Sequence, residues 1–96
     1  MPQFMIQARD FTDSEALQRR LSVRNAHLLR MQAEKNKGVF IMGGAMLNEE
    51  GNMVGSMILL SLPDEESVWQ WIEKDVYKTG RVWDDISVSP FRVAQV

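Results

Sequence analysis

The longest helical segment of this 96-residue chain carries a positive charge in the middle of its apolar face. At about 100° of rotation per residue, the strongest apolar residues of segment 14–37 fall on one narrow face: Leu17, Leu21, Leu28 and Met31. Arg24 projects between two of these leucines, and Arg20 and His27 flank the same face. A charge at a position suited to a core leucine costs free energy unless it is compensated. We therefore expect Arg24 either to find a partner beneath the helix or to border a cleft.

A second helical segment, from Glu65 to about Asp75, ends its apolar face in a carboxylate. Its apolar stripe is Val68, Trp71 and Ile72, and three or four further residues lead to Asp75. The helix macrodipole disfavours an anion near a helix C-terminus, so nothing local favours Asp75 there. Because both helices carry ionisable groups on their inward faces, we expect these groups to form a site.

The order of segments along the chain predicts the fold class. Strands are expected at about 4–8, 39–47, 53–62 and 82–88, and helices at about 14–37 and 65–75. A capping box of Thr12 and Glu15 is expected to begin the first helix, and Gly38 to end it. The order βαββαβ predicts one α+β domain over residues 1–96 with a ferredoxin-like fold, in which a four-stranded antiparallel sheet carries both helices on one face.

Composition limits the class of protein. The net charge of −2 and the scattered basic residues argue against nucleic-acid binding, and the absence of cysteine excludes disulfides and thiolate chemistry. With one histidine and no cysteine, we expect no metal site, and no sequence motif predicts a cofactor. The N-terminal apolar stretch is short and is followed by Arg9, so we expect neither a signal peptide nor a membrane span. We predict a soluble, cytoplasmic protein.

The sheet face opposite the helices is expected to be apolar and uncovered. Phe, Met, Ile and Val occupy many strand positions, and a large exposed apolar patch usually marks an interface. We predict a homodimer with two-fold symmetry in which the sheets stack or join, or a higher assembly of such dimers. Among the tryptophans, Trp71 is expected in the core and Trp69 and Trp83 at an interface or the surface.

Several short motifs, in the same order, resemble those of the YCII-related proteins. They are Arg20-Leu-Ser-Val-Arg-Asn-Ala-His-Leu28, Gly43-Gly44, Gly55-Ser56, Asp75-Val-Tyr77 followed by Gly80, and Val88-Ser-Pro-Phe91. The resemblance covers nearly the whole chain. It implies a ferredoxin-like fold and dimers of the α+β barrel type, similar in architecture to muconolactone isomerases. The chain departs from the family pattern where Ala45 and Val76 replace prolines.

The resemblance also implies a site. The family's proposed active site is built on a histidine and an aspartate, which correspond to His27 and Asp75 as catalytic residues. Arg24, Ser56 and Tyr77 correspond to substrate-binding positions. A histidine exchanges protons near neutral pH, a carboxylate orients it or acts as a second base, and an arginine holds an anion.

Two function classes follow. The first is a small dimeric enzyme that uses His-assisted proton transfer on a small anionic or aromatic molecule. It would be a lyase, such as one removing chloride from a hydroxylated aromatic, or an isomerase. The second is a non-catalytic small-ligand-binding or interaction module on the same scaffold. A pocket over His27 and Asp75 with Arg24 at its wall would favour the enzyme. A buried structural bridge between Arg24 and Asp75 is a further interpretation that is compatible with a site.

Overall fold

The computed structural model describes all 96 residues and confirms the predicted order of elements, with a short third helix added. The strands are β1 (Gln3–Asp10), β2 (Phe40–Leu47), β3 (Met53–Ser61) and β4 (Trp83–Phe91), and the helices are α1 (Ala16–Asn36), α2 (Glu65–Glu73) and α3 (Val76–Thr79). The strands form one antiparallel sheet in the order β2-β3-β1-β4, which is the predicted ferredoxin-like architecture. None of the helices combines the length and the apolar character needed to cross a membrane.

The hydrophobic core lies between one face of the sheet and the helices. Residues opposite each other on neighbouring strands share a face. The paired residues Phe4 and Leu60, and Ile6 and Ile58, put β1 and β3 at the centre of the core. Helix α2 adds its predicted stripe: Val68, Trp71 and Ile72. Removing this apolar surface from water is the main stabilising contribution, at about 25 cal/mol per Å².

Helix α1 buries a different face from the one that its leucines predict. Its buried residues are Ala16, Arg20, His27, Met31 and Glu34. Leu17, Leu21 and Leu28 are instead 36%, 49% and 44% exposed. Arg24 is exposed as well, so the prediction that it lies in a buried stripe is wrong. The polar residues of the buried face each find a partner on another element, which removes most of the cost of burying them.

Helix α1 does not begin with the capping box predicted for Thr12 and Glu15. Glu15 occupies the N-cap position, but its side chain makes no capping hydrogen bond. Asp13 instead accepts a hydrogen bond from the backbone N–H of Glu15 and binds Arg19 through both carboxylate oxygens. The end of the helix follows the prediction, because Gly38 adopts a φ of 81° that favours glycine.

The sheet face that no helix covers is rich in methionine. Strand alternation places four methionines on this face: Met5, Met42, Met46 and Met57. Strands β1 and β4 add polar side chains to it, including Gln7 and Ser87. Phe4, Ile6 and Ile58 face the helices instead, and Leu59 joins the methionines, so the apolar part of the open face is narrower than the sequence suggests.

Candidate active site

A cavity of about 190 Å³ lies between α1 and β2. Strand β2 presents Gly43 and Ala45 opposite Ile58 and Ser56 of β3, on the face that looks towards α1. A Cβ atom on Gly43 would lie 2.7 Å from the carbonyl oxygen of Met57, so the close approach of β3 requires glycine there. The cavity beneath α1 therefore exists because Gly43 and Ala45 of the edge strand β2 have small side chains or none.

Four of the five predicted site residues line this cavity. They are Arg24, His27, Ser56 and Tyr77. Asp75 is completely buried and is not a lining residue. Arg24 is an exposed member of the cavity wall and makes no ion pair, so the predicted Arg24–Asp75 bridge is wrong. Together with Arg20, these residues give the cavity wall two cations, an imidazole and two hydroxyl groups.

His27 and Asp75 form a direct contact between α1 and the start of α3. Nδ1 of His27 lies 2.8 Å from Oδ1 of Asp75. A carboxylate only accepts hydrogen bonds, so His27 donates through Nδ1–H. This leaves Nε2 with a free lone pair when the ring is neutral. Nε2 has no hydrogen-bond partner in the protein and is not sealed from solvent, and the His27 ring lines the cavity.

Asp75 begins α3 and does not continue α2, which corrects its predicted position at a helix C-terminus. As the N-cap, Asp75 accepts a hydrogen bond at Oδ1 from the backbone N–H of Tyr77 at 2.9 Å. Its Oδ2 accepts from Nη1 of Arg30, also at 2.9 Å. Burial alone would raise the pKa of Asp75, but the hydrogen bonds from His27, Tyr77 and Arg30 outweigh burial and lower this pKa. The structure therefore favours an ionised carboxylate behind the imidazole.

Two aromatic rings fix the plane of the imidazole. The ring of Tyr77 stacks on His27 with centroids 3.9 Å apart and an interplanar angle of 13°. Trp83 meets His27 edge-on, with centroids 6.1 Å apart at 83°. Burial raises the pKa of the Tyr77 hydroxyl, which keeps this group neutral and able to donate a hydrogen bond. Trp83 is only 2% exposed, so its predicted place at an interface or the surface is wrong.

A buried polar cluster supports Ser56 at the cavity wall. Nη2 of Arg20 donates to Oγ of Ser56 at 2.9 Å, and Nε1 of Trp83 donates to the same oxygen at 3.1 Å. Nη1 of Arg20 binds both oxygens of Asp10. Burial raises the pKa of Asp10, and its contact with Arg20 opposes this effect. Because Ser56 already accepts two hydrogen bonds, its own hydroxyl proton is left to be donated.

Asp10, Arg30 and Trp83 were not predicted as site residues, and Arg20 was predicted only at the edge of a face. One signal in the sequence could have indicated the correct face of α1. Polar residues recur there every seven positions, at Arg20, His27 and Glu34, and each has a partner on another element. No group of three or more His, Asp or Glu side chains is arranged to hold a metal ion.

Comparison with known proteins places the chain in a family. A family model for the YCII-related domain matches residues 3–92. Protein YciI of Escherichia coli O6:H1 and Protein YciI of Shigella flexneri are each 33% identical over 95 residues, covering 93% of this chain and 95% of each relative. The predicted family resemblance is confirmed.

Solved structures support the same fold. The 5-chloro-2-hydroxyhydroquinone dehydrochlorinase TftG of Burkholderia phenoliruptrix AC1100, in complex with 2,5-dihydroxybenzoquinone, has a TM-score of 0.81 at 21% identity, covering 96% of this chain and 95% of its own. A dimeric ferredoxin-like protein from an uncultured marine organism has a TM-score of 0.52 at 15% identity, covering 100% of both chains. These likenesses show the fold, and the family model and the YciI sequences show that the chain belongs to the YCII-related domain family.

Proposed function

We propose that this chain is a small enzyme that moves protons on a single-ring, hydroxylated or anionic organic substrate, as a lyase or an isomerase. The observation that carries the proposal is the 2.8 Å contact between Nδ1 of His27 and Oδ1 of Asp75. It orients a histidine whose other nitrogen is unpartnered beside a cavity. A base that is oriented by a buried carboxylate and reachable by a ligand is the arrangement that general acid–base catalysis needs.

Each side chain then has a role set by its position. Nε2 of His27 takes a proton from the substrate, and the Asp75 carboxylate stabilises the imidazolium that forms. The hydroxyl of Ser56 donates to the substrate oxygen on which negative charge develops. In an elimination, the electron pair left by the proton forms a new π bond and the leaving anion departs with its own bonding pair. In an isomerisation, His27 returns the proton to another atom of the substrate.

Asp75 acts as the orienting group in this scheme and not as a second base. Its side chain is completely buried, and it does not line the cavity. Both carboxylate oxygens are already occupied by His27, Tyr77 and Arg30. A substrate proton therefore has a short path only to His27.

The size of the cavity limits the substrate to one ring. A dry cavity of about 150 Å³ is enough for benzene, and this cavity measures about 190 Å³. Apolar wall residues such as Met31 and Ile58 suit a ring face, and Arg24 attracts an anionic substituent. The structural neighbour named as a dehydrochlorinase was solved with a dihydroxybenzoquinone, and this supports a ligand of the same size class.

The experiment is an absorbance screen of hydroxylated and chlorinated single-ring compounds with purified protein. His27→Ala should reduce turnover of an active compound by about 10²-fold or more, because it removes the general base. Gln32→Ala, which changes an exposed residue on the same helix, serves as the matched control. Equal turnover by the His27 variant would contradict the proposed base. Ring binding without any turnover would identify the chain as a non-catalytic ligand-binding module.

We further propose that the chain works as a homodimer in the cytoplasm, joined through its open sheet face. The methionine side chains on that face give a flexible apolar surface suited to packing against a second copy. A structural neighbour is described as dimeric. Sedimentation analysis should give a dimer that Met57→Asp converts to a monomer, whereas the exposed Leu29→Asp should not dissociate it.

A further inference from the structure

Arg30 is the second charged partner of Asp75. Its Nη1 donates to Oδ2 of Asp75 at 2.9 Å, and its Nη2 donates to the carbonyl oxygen of Trp71 at 3.0 Å. The guanidinium carbon also lies 4.2 Å from the centroid of the Trp71 ring. Three contacts thus fix one side chain that is only 22% exposed. Arg30 does not line the cavity, so it reaches a substrate only through Asp75.

We propose that Arg30 is a positioning residue that fixes the orientation of the Asp75 carboxylate and sets how tightly the His27–Asp75 pair holds its proton. This inference rests on the proposed function, in which His27 is the base. It deepens that function by assigning control of the base to a residue that touches neither cavity nor substrate.

Orientation is the first part of the argument. Oδ1 of Asp75 is shared by His27 and the backbone N–H of Tyr77, whereas Arg30 provides the only hydrogen bond to Oδ2. Without Arg30, Oδ2 would be a buried, charged acceptor with no partner, which is strongly unfavourable. The carboxylate would then gain by rotating or by taking a proton. Either change would weaken the bond that selects the Nδ1–H tautomer of His27.

Charge is the second part. Tyr77 of α3, which stacks on His27, has Arg20 and Arg24 of α1 and Asp10 of β1 as its charged neighbours, and Asp10 is paired with Arg20. Glu34 of α1 is a charged neighbour of Arg30 itself. Only Arg30 brings a permanent cation into contact with the Asp75 carboxylate. A cation beside the pair opposes the arrival of a further proton. Removing it should let the pair keep its last proton to higher pH.

The test compares Arg30→Met and Arg30→Lys with the intact protein, and Lys35→Met serves as a control that removes an equal charge from an exposed position of α1. NMR titration of the His27 ring and its ¹⁵N shifts report the midpoint and the tautomer without any substrate. For Arg30→Met we expect the loss of the cation to outweigh the weaker His27–Asp75 contact, so that the midpoint rises by about one pH unit. At pH values below the midpoint this corresponds to up to about a tenfold loss of kcat/KM, which is regained at alkaline pH. In Arg30→Lys the midpoint should return most of the way to that of the intact protein. Lys35→Met should leave both the midpoint and the tautomer unchanged.

An unchanged midpoint and tautomer in Arg30→Met would overturn the inference. If that variant does not fold, the same titration of Arg30→Gln tests the inference, because glutamine keeps a hydrogen-bond donor and removes the charge. If the His27 titration moves but the pH profile of an active substrate does not follow it, Arg30 acts on the pair as inferred and His27 is not the base. The failure of the inference and the failure of the proposed function are therefore distinguishable.

Discussion

Nη1 of Arg20 lies 2.9 Å from Oδ2 of Asp10, and both side chains are almost fully buried, at 3% and 5% exposure. Arg20 lines the cavity whereas Asp10 does not, and the same guanidinium binds Ser56. A buried ion pair adds little net stability compared with a well-packed apolar pair. The pair is better explained by its contact with Ser56, because Arg20 donates to Oγ of Ser56 and holds this side chain at the cavity wall.

Asp10→Ala should lower the free energy of unfolding by about 3–5 kcal/mol, because it leaves the Arg20 guanidinium buried without its counter-ion. Urea unfolding followed by tryptophan fluorescence measures this loss. Asp13→Ala is the matched control, since it breaks the exposed pair with Arg19, and exposed pairs contribute little. Similar losses for the two variants would show that the Arg20 charge finds other compensation.

Ser56→Ala should affect both stability and ligand binding. It removes the acceptor of Nη2 of Arg20 and of Nε1 of Trp83, and unsatisfied buried donors cost about 1–3 kcal/mol. It also removes the donor that faces the ligand, so calorimetry should show weaker binding of a single-ring phenol. Ser87→Ala, on the open sheet face, should stay within about 0.5 kcal/mol of the parent protein. Unchanged affinity in Ser56→Ala would remove Ser56 from the binding site.

The fold was predictable because its signals are local. The spacing of Val68, Trp71 and Ile72 indicates which face of α2 is buried, and the turn at Gly38 follows from its conformational freedom. These features depend on neighbours within a few residues. The strand order and the helix-bearing face then follow from general packing rules.

The buried face of α1 was not predictable in the same way. Two faces compete, and the one with the larger leucines is exposed, whereas the one that carries Arg20, His27 and Glu34 is buried. The choice depends on partners far along the chain, at Asp10, Asp75 and Trp71. Periodicity treats these polar residues as solvent-facing because it does not include distant counter-charges. The predicted position of Asp75 at a helix C-terminus was wrong for a related reason. The helical structure breaks between α2 and α3, and this break makes Asp75 the N-cap of α3.

Asp75 should make stability depend on pH at the acid end. Hydrogen bonds lower its pKa in the folded state below the ordinary value of 3.8, despite burial. Such a group stabilises the folded protein fully above 3.8, and this contribution is lost as the pH falls towards the folded-state pKa. Between pH 6 and pH 3, the intact protein should therefore lose more unfolding free energy than Asp75→Asn, as measured in urea. Asp84→Asn changes an exposed aspartate and should keep the slope of the intact protein. Parallel curves for the parent protein and the Asp75 variant would show that folding does not lower the pKa of this carboxyl group.

Arg24→Leu should separate anion binding from stability. Arg24 lines the cavity but is exposed and makes no ion pair, so its removal leaves no buried group unpaired. The free energy of unfolding should stay within about 0.5 kcal/mol of the parent value. In thermal-shift experiments, benzoate and salicylate should stabilise the parent protein but not Arg24→Leu, because the variant has lost the cation at the cavity wall. Arg92→Leu removes the same charge from the exposed segment after β4 and should preserve the response. If the response persists in Arg24→Leu, the anion is held by the buried guanidinium of Arg20 instead, since that side chain is the other arginine in the cavity wall.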